Sequence, residues 1–146
     1  MGLQAAFYKG TRSGLAGVYN RGVRLWTASE YSHCELSFVE GFSGSASYMD
    51  GGVRLKPIDY DLEKWDLLDL PESFAKPAFE WFMRHRGEKY DLLGNLHFVV
   101  APVMGGRDTW FCSEAIAAAL GMSDPWRYDP ATLHSALQLI ALKGKK

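Results

Sequence analysis

The sequence has only two cysteines, Cys34 and Cys112, among its 146 residues. Two cysteines cannot build the disulfide framework of a small secreted domain, and a bridge between them is disfavoured in a reducing compartment. The four histidines are scattered, with no Cys-x-x-Cys pair and no His-x-x-x-His spacing on a helix. The sequence therefore predicts neither a metal site nor a bound cofactor.

An excess of charge of either sign and a long apolar run are also lacking. The formal net charge is −1 at pH 7, which argues against a surface that binds nucleic acid. No apolar run approaches the roughly 20 residues that cross a bilayer, and the first residues lack a signal-peptide pattern. We therefore expect a cytoplasmic protein without a membrane span.

What the sequence does contain is the balance of an ordinary globular protein. Hydrophobic residues make up 47% of the chain and charged residues 23%, which is enough apolar material for one sizeable core. The sequence has no internal repeat and no low-complexity linker. We therefore predict a single α+β domain over residues 1–146.

The clearest strand begins at Tyr31, where polar and apolar residues start to alternate with a period of two. One face carries Cys34, Leu36 and Phe38, and the other carries Tyr31, His33, Glu35 and Ser37. Turn signals at Glu40-Gly41 and Asp50-Gly51-Gly52 favour an antiparallel meander after this strand. The other predicted strands are Leu3–Tyr8, Ser45–Met49, Val53–Lys56 and Trp65–Leu70.

Apolar residues spaced three and four apart predict helices in the second half of the chain. We predict helices over about residues 73 to 86, from Cys112 to about residue 120, and over about residues 130 to 142. Glycines interrupt a further helical pattern over about residues 12 to 25. The residues expected to face the core are Phe74, Ala78, Phe79, Phe82 and Met83 in the first of these helices and Leu133, Leu137 and Ile140 in the last.

Cys112 is the candidate nucleophile, because it lies in the first turn of a short apolar helix. Backbone dipoles and unpaired N–H groups at a helix start stabilise an anion, so a thiol there ionises more readily than a free one. A thiolate is the form that attacks a carbonyl carbon. The alternative is that Cys112 is a small buried residue beside Ala115 and Ile116.

His33 is the candidate general base. An imidazole on a rigid strand can take a proton from a thiol that packs over that strand. Glu35 lies two residues further on the same face, where its carboxylate would orient or charge-stabilise the ring, which is the third role in a triad. The alternative is that both residues belong to the solvated face of a half-buried strand.

Three separated blocks carry a resemblance to a known family. They are Tyr31-Ser32-His33-Cys34-Glu35-Leu36, Gly87-Glu88-Lys89-Tyr90-Asp91-Leu92-Leu93-Gly94 and Phe111-Cys112-Ser113-Glu114. In this order they resemble the permuted NlpC/P60 group of papain-like cysteine hydrolases, which is similar to the YiiX-like and lecithin-retinol-acyltransferase-like families. In that group the histidine strand comes first and the cysteine helix last. The resemblance spans about Ala6 to Leu120 and implies an antiparallel sheet packed against the cysteine helix.

The resemblance implies that Cys112 is the nucleophile and His33 the general base, whereas the third residue usually lies on the strand after the histidine. If Glu40-Gly41 is a two-residue turn, Ser45 and Ser47 point away from His33 unless a bulge shifts the register by one. Glu35 is therefore the preferred third member of the triad. Ser45 and Ser47 are the alternatives.

The resemblance also suggests where a substrate would bind. An oxyanion hole would use the backbone N–H of Cys112 and one further donor, for which Tyr8 and Tyr31 are candidates. Cys34, on the opposite face from His33, is expected to be an inert core thiol. The candidate substrate-binding residues are Tyr8, Tyr31, Ser47 and Trp110, with Trp26 and Phe111 as further cleft-lining aromatics or, equally, ordinary core residues.

The function implied by the resemblance is a cysteine hydrolase that acts on an amide, peptide or ester bond through an acyl-enzyme on Cys112. Cell-wall peptide is the best-known substrate of the family, although an intracellular role or release from a phage or prophage particle suits this chain as well. One alternative is a lipid acyltransferase or thioesterase on the same thiolate, which predicts an apolar trench. Another is a binding module that keeps the fold without turnover.

Overall fold

A computed structural model of the chain describes residues 2–10, 17–18, 21, 30–39, 41–91 and 109–144. Within these residues the fold is α+β. The strands are β1 (Leu3–Tyr8), β2 (His33–Ser37), β3 (Phe42–Ser47), β4 (Gly52–Pro57), β5 (Trp65–Leu70), β6 (Lys89–Tyr90) and β7 (Thr109–Trp110). The helices used below are α1 (Ala75–His85), α2 (Cys112–Ala119) and α3 (Pro130–Gly144), and short 3₁₀ turns lie at Glu72–Phe74 and Pro125–Arg127. Most of the helical pattern over residues 12 to 25, and Trp26, lie outside the described residues.

The strands form one sheet in the order β5-β1-β2-β3-β4-β6-β7. All neighbouring pairs are antiparallel except β6 and β7. The predicted meander is confirmed for β2, β3 and β4, and β1 and β5 have the predicted bounds. The strand that contains His33 and Glu35 therefore lies near the middle of the sheet. None of the described helices is long and apolar enough to cross a membrane.

The two faces of the sheet differ in chemistry. The face that packs against the helices is apolar and contains Phe7, Cys34 and Leu36 in the main core. The opposite face carries His33 and Glu35 on β2, as the alternation predicts. This outer face is not solvated at Glu35, whose side chain is only 2% exposed. A buried carboxylate requires partners within the protein, which distinguishes this strand from an ordinary half-buried one.

Tyr31 departs from the predicted alternation. The Ser32 N–H donates to the Tyr8 carbonyl at 3.0 Å, although Tyr8 lies opposite His33 in the β1–β2 register. The pairing therefore slips by one residue just before β2, and such a slip turns a side chain to the other face. The Tyr31 ring lies in the helix-side core, with its centroid 5.4 Å from that of Phe7, rather than on the face of His33.

The turn between β2 and β3 also differs from the prediction. A two-residue turn would place Val39 opposite Phe42, but the Phe38 N–H donates to the Phe42 carbonyl at 2.8 Å. The turn is therefore three residues long and ends at Gly41, whose φ of 79° is the left-handed conformation that such turns require. The register shifts by one, which turns the β3 serines Ser43, Ser45 and Ser47 to the side of His33.

The helices confirm most of the predicted core. Ala78 and Phe82 of α1 are buried, as are Leu133 and Leu137 of α3. The prediction is wrong for Phe79 and Met83, which are 37% and 50% exposed. Because α1 touches the sheet along one narrow line through Ala78 and Phe82, residues one position further round the helix face outward.

Gly44 of β3 is the point at which α1 comes closest to the sheet. A Cβ at this position would lie 2.6 Å from a ring carbon of Phe82, which is closer than real Cβ atoms approach. The Phe82 ring therefore occupies the space that a side chain at position 44 would need. This contact fixes α1 over the part of β3 that pairs with β2.

We predict that Gly44→Ala destabilises the protein by about 1–3 kcal/mol, because the added methyl group overpacks the core against Phe82. The free energy of unfolding from urea titrations measures this change. Gly2→Ala is the matched control, since its Cβ would meet only the Leu70 carbonyl at 3.8 Å. The control should change stability by less than about 0.5 kcal/mol. Equal stability of the two variants would contradict the close packing of α1 on β3.

Candidate active site

The ladder between β2 and β3 opens at the start of β2, and the helix α2 packs against both strands there. If the pairing continued, Cys34 would exchange two backbone hydrogen bonds with Ala46. Instead, the Cys34 carbonyl accepts a hydrogen bond from Ser45 Oγ at 2.7 Å. The Cys34 backbone N–H, which this opening leaves without a β3 partner, is one of the groups that lower the pKa of Cys112. The open end of the ladder is therefore where the sulfur is held.

Cys112 is the first residue of α2 and is 5% exposed. Cys34 and His33 are the two side chains whose interactions with its sulfur lower the pKa of Cys112. The hydrogen bond from the Cys34 thiol and the positive charge of His33 hold the pKa of Cys112 well below its usual range, although burial opposes them. The amides at the start of α2 favour the anion as well. The predicted position of Cys112 at a helix start is confirmed.

His33 lies between Cys112 and Glu35, and its side chain is 16% exposed. Its Nε2 is 2.7 Å from Glu35 Oε1, so Nδ1 is the ring nitrogen that lies outside this contact. Burial lowers the pKa of His33, but Cys112 and then Glu35 outweigh it and raise the pKa to about 9. The two shifts favour the charged form of each group, a thiolate on Cys112 and an imidazolium on His33.

Glu35 is held between His33 and Arg54. Burial opposes its ionisation, but the hydrogen bonds from Arg54 and His33 prevail and lower the pKa of Glu35 to about 2. Arg54 Nη1 donates to Glu35 Oε2 at 2.6 Å, and Arg54 Nη2 donates to Oε1 of the same carboxylate. Two parallel bonds from a planar guanidinium fix the carboxylate in position as well as neutralising it.

Sequence reasoning missed Arg54. It lies on β4, two strands away from Glu35, and Ser45 occupies the position between them on β3. Because Ser45 is small, the long Arg54 side chain reaches across β3 to the carboxylate. Alternation along Val53-Arg54-Leu55-Lys56 indicates that Arg54 points away from the helices. Only the register of β2, β3 and β4 shows that it lies opposite Ser45 and within reach of Glu35.

The ion pairs continue from Arg54 to the edge of the site. Arg54 Nε donates to Asp50 Oδ2 at 2.8 Å, and Lys56 Nζ lies 2.7 Å from the same oxygen. Burial opposes the ionisation of Asp50, but the bonds from Lys56 and Arg54 lower its pKa to about 2. Together these residues form an alternating charge chain, defined here as Cys112, His33, Glu35, Arg54, Asp50 and Lys56. Its signs alternate from the thiolate to the half-exposed lysine, so the chain as a whole is neutral.

The other predicted site residues have partners of their own. Ser45 binds the Cys34 carbonyl, and Ser47 ends β3 opposite Gly52. The Tyr31 hydroxyl donates its one hydrogen to Asp66 Oδ2 at 2.7 Å. That hydrogen is therefore not available to an oxyanion. Of these residues, none is brought to His33 as a third member of a triad in place of Glu35.

Tyr8 and Trp110 lie in two different aromatic groups. Tyr8 is opposite His33 on β1, and its ring centroid is 5.0 Å from that of Trp65. Trp65 in turn meets the His33 ring at 6.3 Å, so that it forms an apolar wall beside the candidate base. Trp110 instead packs against Trp81 and donates a hydrogen bond from Nε1 to Glu88. Trp65 is a second neighbour of the site that sequence reasoning did not single out.

Cys34 lies in the core, as expected. It also neighbours Cys112, and the two thiols shift each other's pKa, which the alternation did not indicate. Burial raises the pKa of Cys34, and the neighbouring Cys112 thiolate raises it further. Cys34 therefore keeps its proton and donates it to the sulfur. Cys34 and His33 are consecutive residues whose side chains point to opposite faces of the sheet. The Cys112 sulfur lies near both because it is at the open end of the β2–β3 ladder.

Glu114 lies two residues after Cys112 and is buried. One of its carboxylate oxygens accepts a hydrogen bond from the Phe111 N–H at 3.4 Å. Burial raises the pKa of Glu114 to about 7, although the Phe111 bond opposes this shift. Glu114 is therefore partly protonated near neutral pH, which reduces the negative charge that it places beside the thiolate.

Comparisons of the chain with protein-family models, with curated proteins and with solved structures give no match.

We predict that iodoacetamide labels Cys112 at a nearly constant rate from below neutral pH up to about 9. The thiolate forms as the pH rises through the lowered pKa of Cys112, and its imidazolium partner is lost only above the His33 pKa of about 9. Peptide mass spectrometry of pulse-labelled protein measures the rate at each pH, with Cys34 as the internal thiol that stays unlabelled. His33→Gln should slow labelling at pH 6 by about tenfold for each unit that the Cys112 pKa rises. The ion pair would be contradicted if the wild-type protein and His33→Gln showed the same pH dependence of labelling, with both rates rising near pH 8.5 like that of a free thiol.

We predict that Arg54→Met destabilises the protein by about 3–5 kcal/mol, because it leaves the buried Glu35 carboxylate with one partner fewer. Urea unfolding at pH 7 measures the loss. The double variant Glu35→Gln/Arg54→Met should recover most of it, since the uncompensated charge is removed. Lys56→Met, which breaks the exposed end of the charge chain, is the control and should cost no more than about 1 kcal/mol. An Arg54→Met variant as stable as this control would disprove the role of Arg54.

Proposed function

We propose that the protein is a cysteine hydrolase that cleaves an amide, peptide or ester bond through an acyl-enzyme on Cys112. The observation that carries this proposal is the line of contacts from the Cys112 sulfur through His33 to Glu35. A thiol, a base and a group that orients the base are the three parts that nucleophilic catalysis by cysteine needs. A core cysteine without a catalytic role requires neither of the other two.

The first half of the reaction forms the acyl-enzyme. The Cys112 thiolate attacks the carbonyl carbon, a C–S bond forms, and the carbonyl oxygen becomes an oxyanion. The backbone N–H of Cys112 has no partner within α2 and donates to that oxygen. His33 then gives its proton to the leaving amine or alkoxide as the bond to it breaks.

The second half releases the acid. Neutral His33 removes a proton from water, and the resulting hydroxide attacks the thioester carbon. The C–S bond breaks, the thiolate is restored and His33 again carries the positive charge. Glu35 keeps the ring orientation through both halves, because its own position is fixed by Arg54.

The order of the parts supports assignment to the permuted NlpC/P60 group of papain-like hydrolases. The histidine lies on an early strand of an antiparallel sheet, and the cysteine begins a helix that packs against that strand. This is the order of the three sequence blocks described above. The assignment is part of the proposal, with Tyr8, Ser47 and Trp110 kept as candidate substrate contacts.

A second candidate function is acyl transfer to or from a lipid, or thioester hydrolysis, on the same thiolate. It is favoured by the aromatic group beside His33, in which the rings of Tyr8 and Tyr60 both pack against Trp65. An apolar wall next to the base suits an acyl chain better than a charged peptide. The two candidates share the chemistry at Cys112 and differ in what they bind.

We predict that p-nitrophenyl esters give a burst of one nitrophenol per protein chain and leave an acyl group on Cys112. Stopped-flow absorbance measures the burst, and intact-protein mass spectrometry locates the adduct. His33→Ala should slow acylation by about 10²–10⁴-fold, the usual contribution of a general base. A series of acyl chains, compared with N-acyl amides of short peptides, separates lipid from peptide specificity.

His85→Ala is the matched control for this experiment. His85 also pairs with a carboxylate, Glu88, at 2.9 Å, but it lies at the end of α1 and belongs to the Trp110 group. Its loss should leave the burst unchanged. The proposal fails if no acyl group forms on Cys112, or if His33→Ala and His85→Ala acylate at the same rate.

A further inference from the structure

The sequence contains two cysteines, and the fold brings them together. They are separated by about half of the chain length, yet both are buried in the same core on the helix side of the sheet. Cys112 begins α2, which packs against β2, the strand that carries Cys34. The two thiols are therefore neighbours where α2 meets β2, and each shifts the pKa of the other.

The hydrolase proposed above has no use for a second thiol. A serine or threonine at position 34 would donate the same hydrogen bond, and an apolar residue would pack equally well against the core. What only cysteine adds at this position is the capacity to form a bond to sulfur. The contact therefore has a chemical consequence beyond hydrolysis.

We propose that the Cys112–Cys34 pair reacts with hydroperoxides to form an intramolecular disulfide, with Cys112 as the attacking thiolate and Cys34 as the resolving thiol. Cys112 suits the first role because it is paired with His33 and slightly exposed. Cys34 suits the second because it is fully buried and reaches no solvent oxidant directly.

The reaction proceeds in two balanced steps. In the first, the Cys112 thiolate attacks one oxygen of hydrogen peroxide, the O–O bond breaks, and a proton converts the released hydroxide to water. Cys112 is oxidised to a sulfenic acid, and the peroxide is reduced. In the second, the Cys34 sulfur displaces the sulfenic hydroxyl group, the S–S bond forms, and the Cys34 proton leaves with the hydroxyl as water.

The disulfide would act as a reversible block of the nucleophile. It joins the start of α2 to β2 and removes the thiolate that the hydrolase needs. It also protects Cys112, because a sulfenic acid that is consumed by Cys34 cannot be oxidised further to the irreversible sulfinic acid. A thiol reductant restores both groups.

The experiment treats the reduced full-length protein with one equivalent of hydrogen peroxide and follows its intact mass. We expect the loss of two hydrogens, a Cys34 peptide linked to a Cys112 peptide after non-reducing proteolysis, and the loss of iodoacetamide labelling. Dithiothreitol should restore the original mass and the labelling. Because the chain has only these two cysteines, no other intramolecular disulfide competes.

Cys34→Ala removes the resolving thiol and leaves the nucleophile. In this variant we expect dimedone to trap a sulfenic acid on Cys112 and excess peroxide to add two oxygens, without recovery by dithiothreitol. Thermal unfolding checks that the variant is folded, and the experiment on the wild-type protein decides the matter if it is not. Cys112→Ala should leave Cys34 reduced throughout.

The proposal is overturned if wild-type Cys112 gains oxygen while Cys34 stays a free thiol, or if the disulfide joins two chains. These readouts are masses and labelling, and none of them uses turnover. A failure here therefore leaves the hydrolase proposal intact, and a protein without hydrolase activity would still form the disulfide.

Discussion

A carboxylate whose side chain is 2% exposed must be neutralised within the protein, and Glu35 is neutralised from two sides. Arg54 holds both of its oxygens, and His33 binds one of them. Buried ion pairs contribute little net stability, because the cost of desolvation offsets most of the attraction. What the arrangement supplies is position: Glu35 cannot move without losing Arg54, and His33 cannot turn without losing Glu35. The orientation of the base therefore depends on a residue two strands away.

The charge of the Cys112 sulfur likewise depends on its neighbours. The pKa of His33 is raised because a negative group lies on each side of it, and the pKa of Cys112 is lowered by the Cys34 thiol and by the positive charge of His33. Neither group would hold its charge in a buried site alone. The open end of the β2–β3 ladder completes the arrangement, since it frees a backbone N–H of Cys34 for the sulfur. Electrostatic attraction and the opening between β2 and β3 thus both hold the Cys112 sulfur in position.

Local pattern was sufficient to predict β1 to β5, the cysteine at the start of α2 and the pairing of His33 with Glu35, but not the two-residue strands β6 and β7. These features depend on a few neighbouring residues and on a period of two or 3.6. The register of β3 could not be decided from the sequence: the two-residue turn is not formed, because Val39 joins the turn, and the one-residue shift kept as the alternative is what occurs. Since register decides which side chains meet across strands, the contact of Arg54 with Glu35 could not be predicted from the sequence. Cys34 lies in the core as predicted, but its nearness to Cys112 was not predicted, because the opening of a ladder leaves no signal in the alternation.

The central claim is that Cys112 and His33 share one proton as a thiolate and an imidazolium at neutral pH. Nuclear magnetic resonance of protein labelled at the cysteine Cβ and the histidine ring nitrogens tests it most directly. At pH 7.5 the account predicts an ionised Cys112 and a His33 ring protonated on both nitrogens, and it predicts that Cys112→Ala lowers the His33 pKa from about 9. A neutral His33 ring beside a protonated Cys112 thiol at that pH would contradict it.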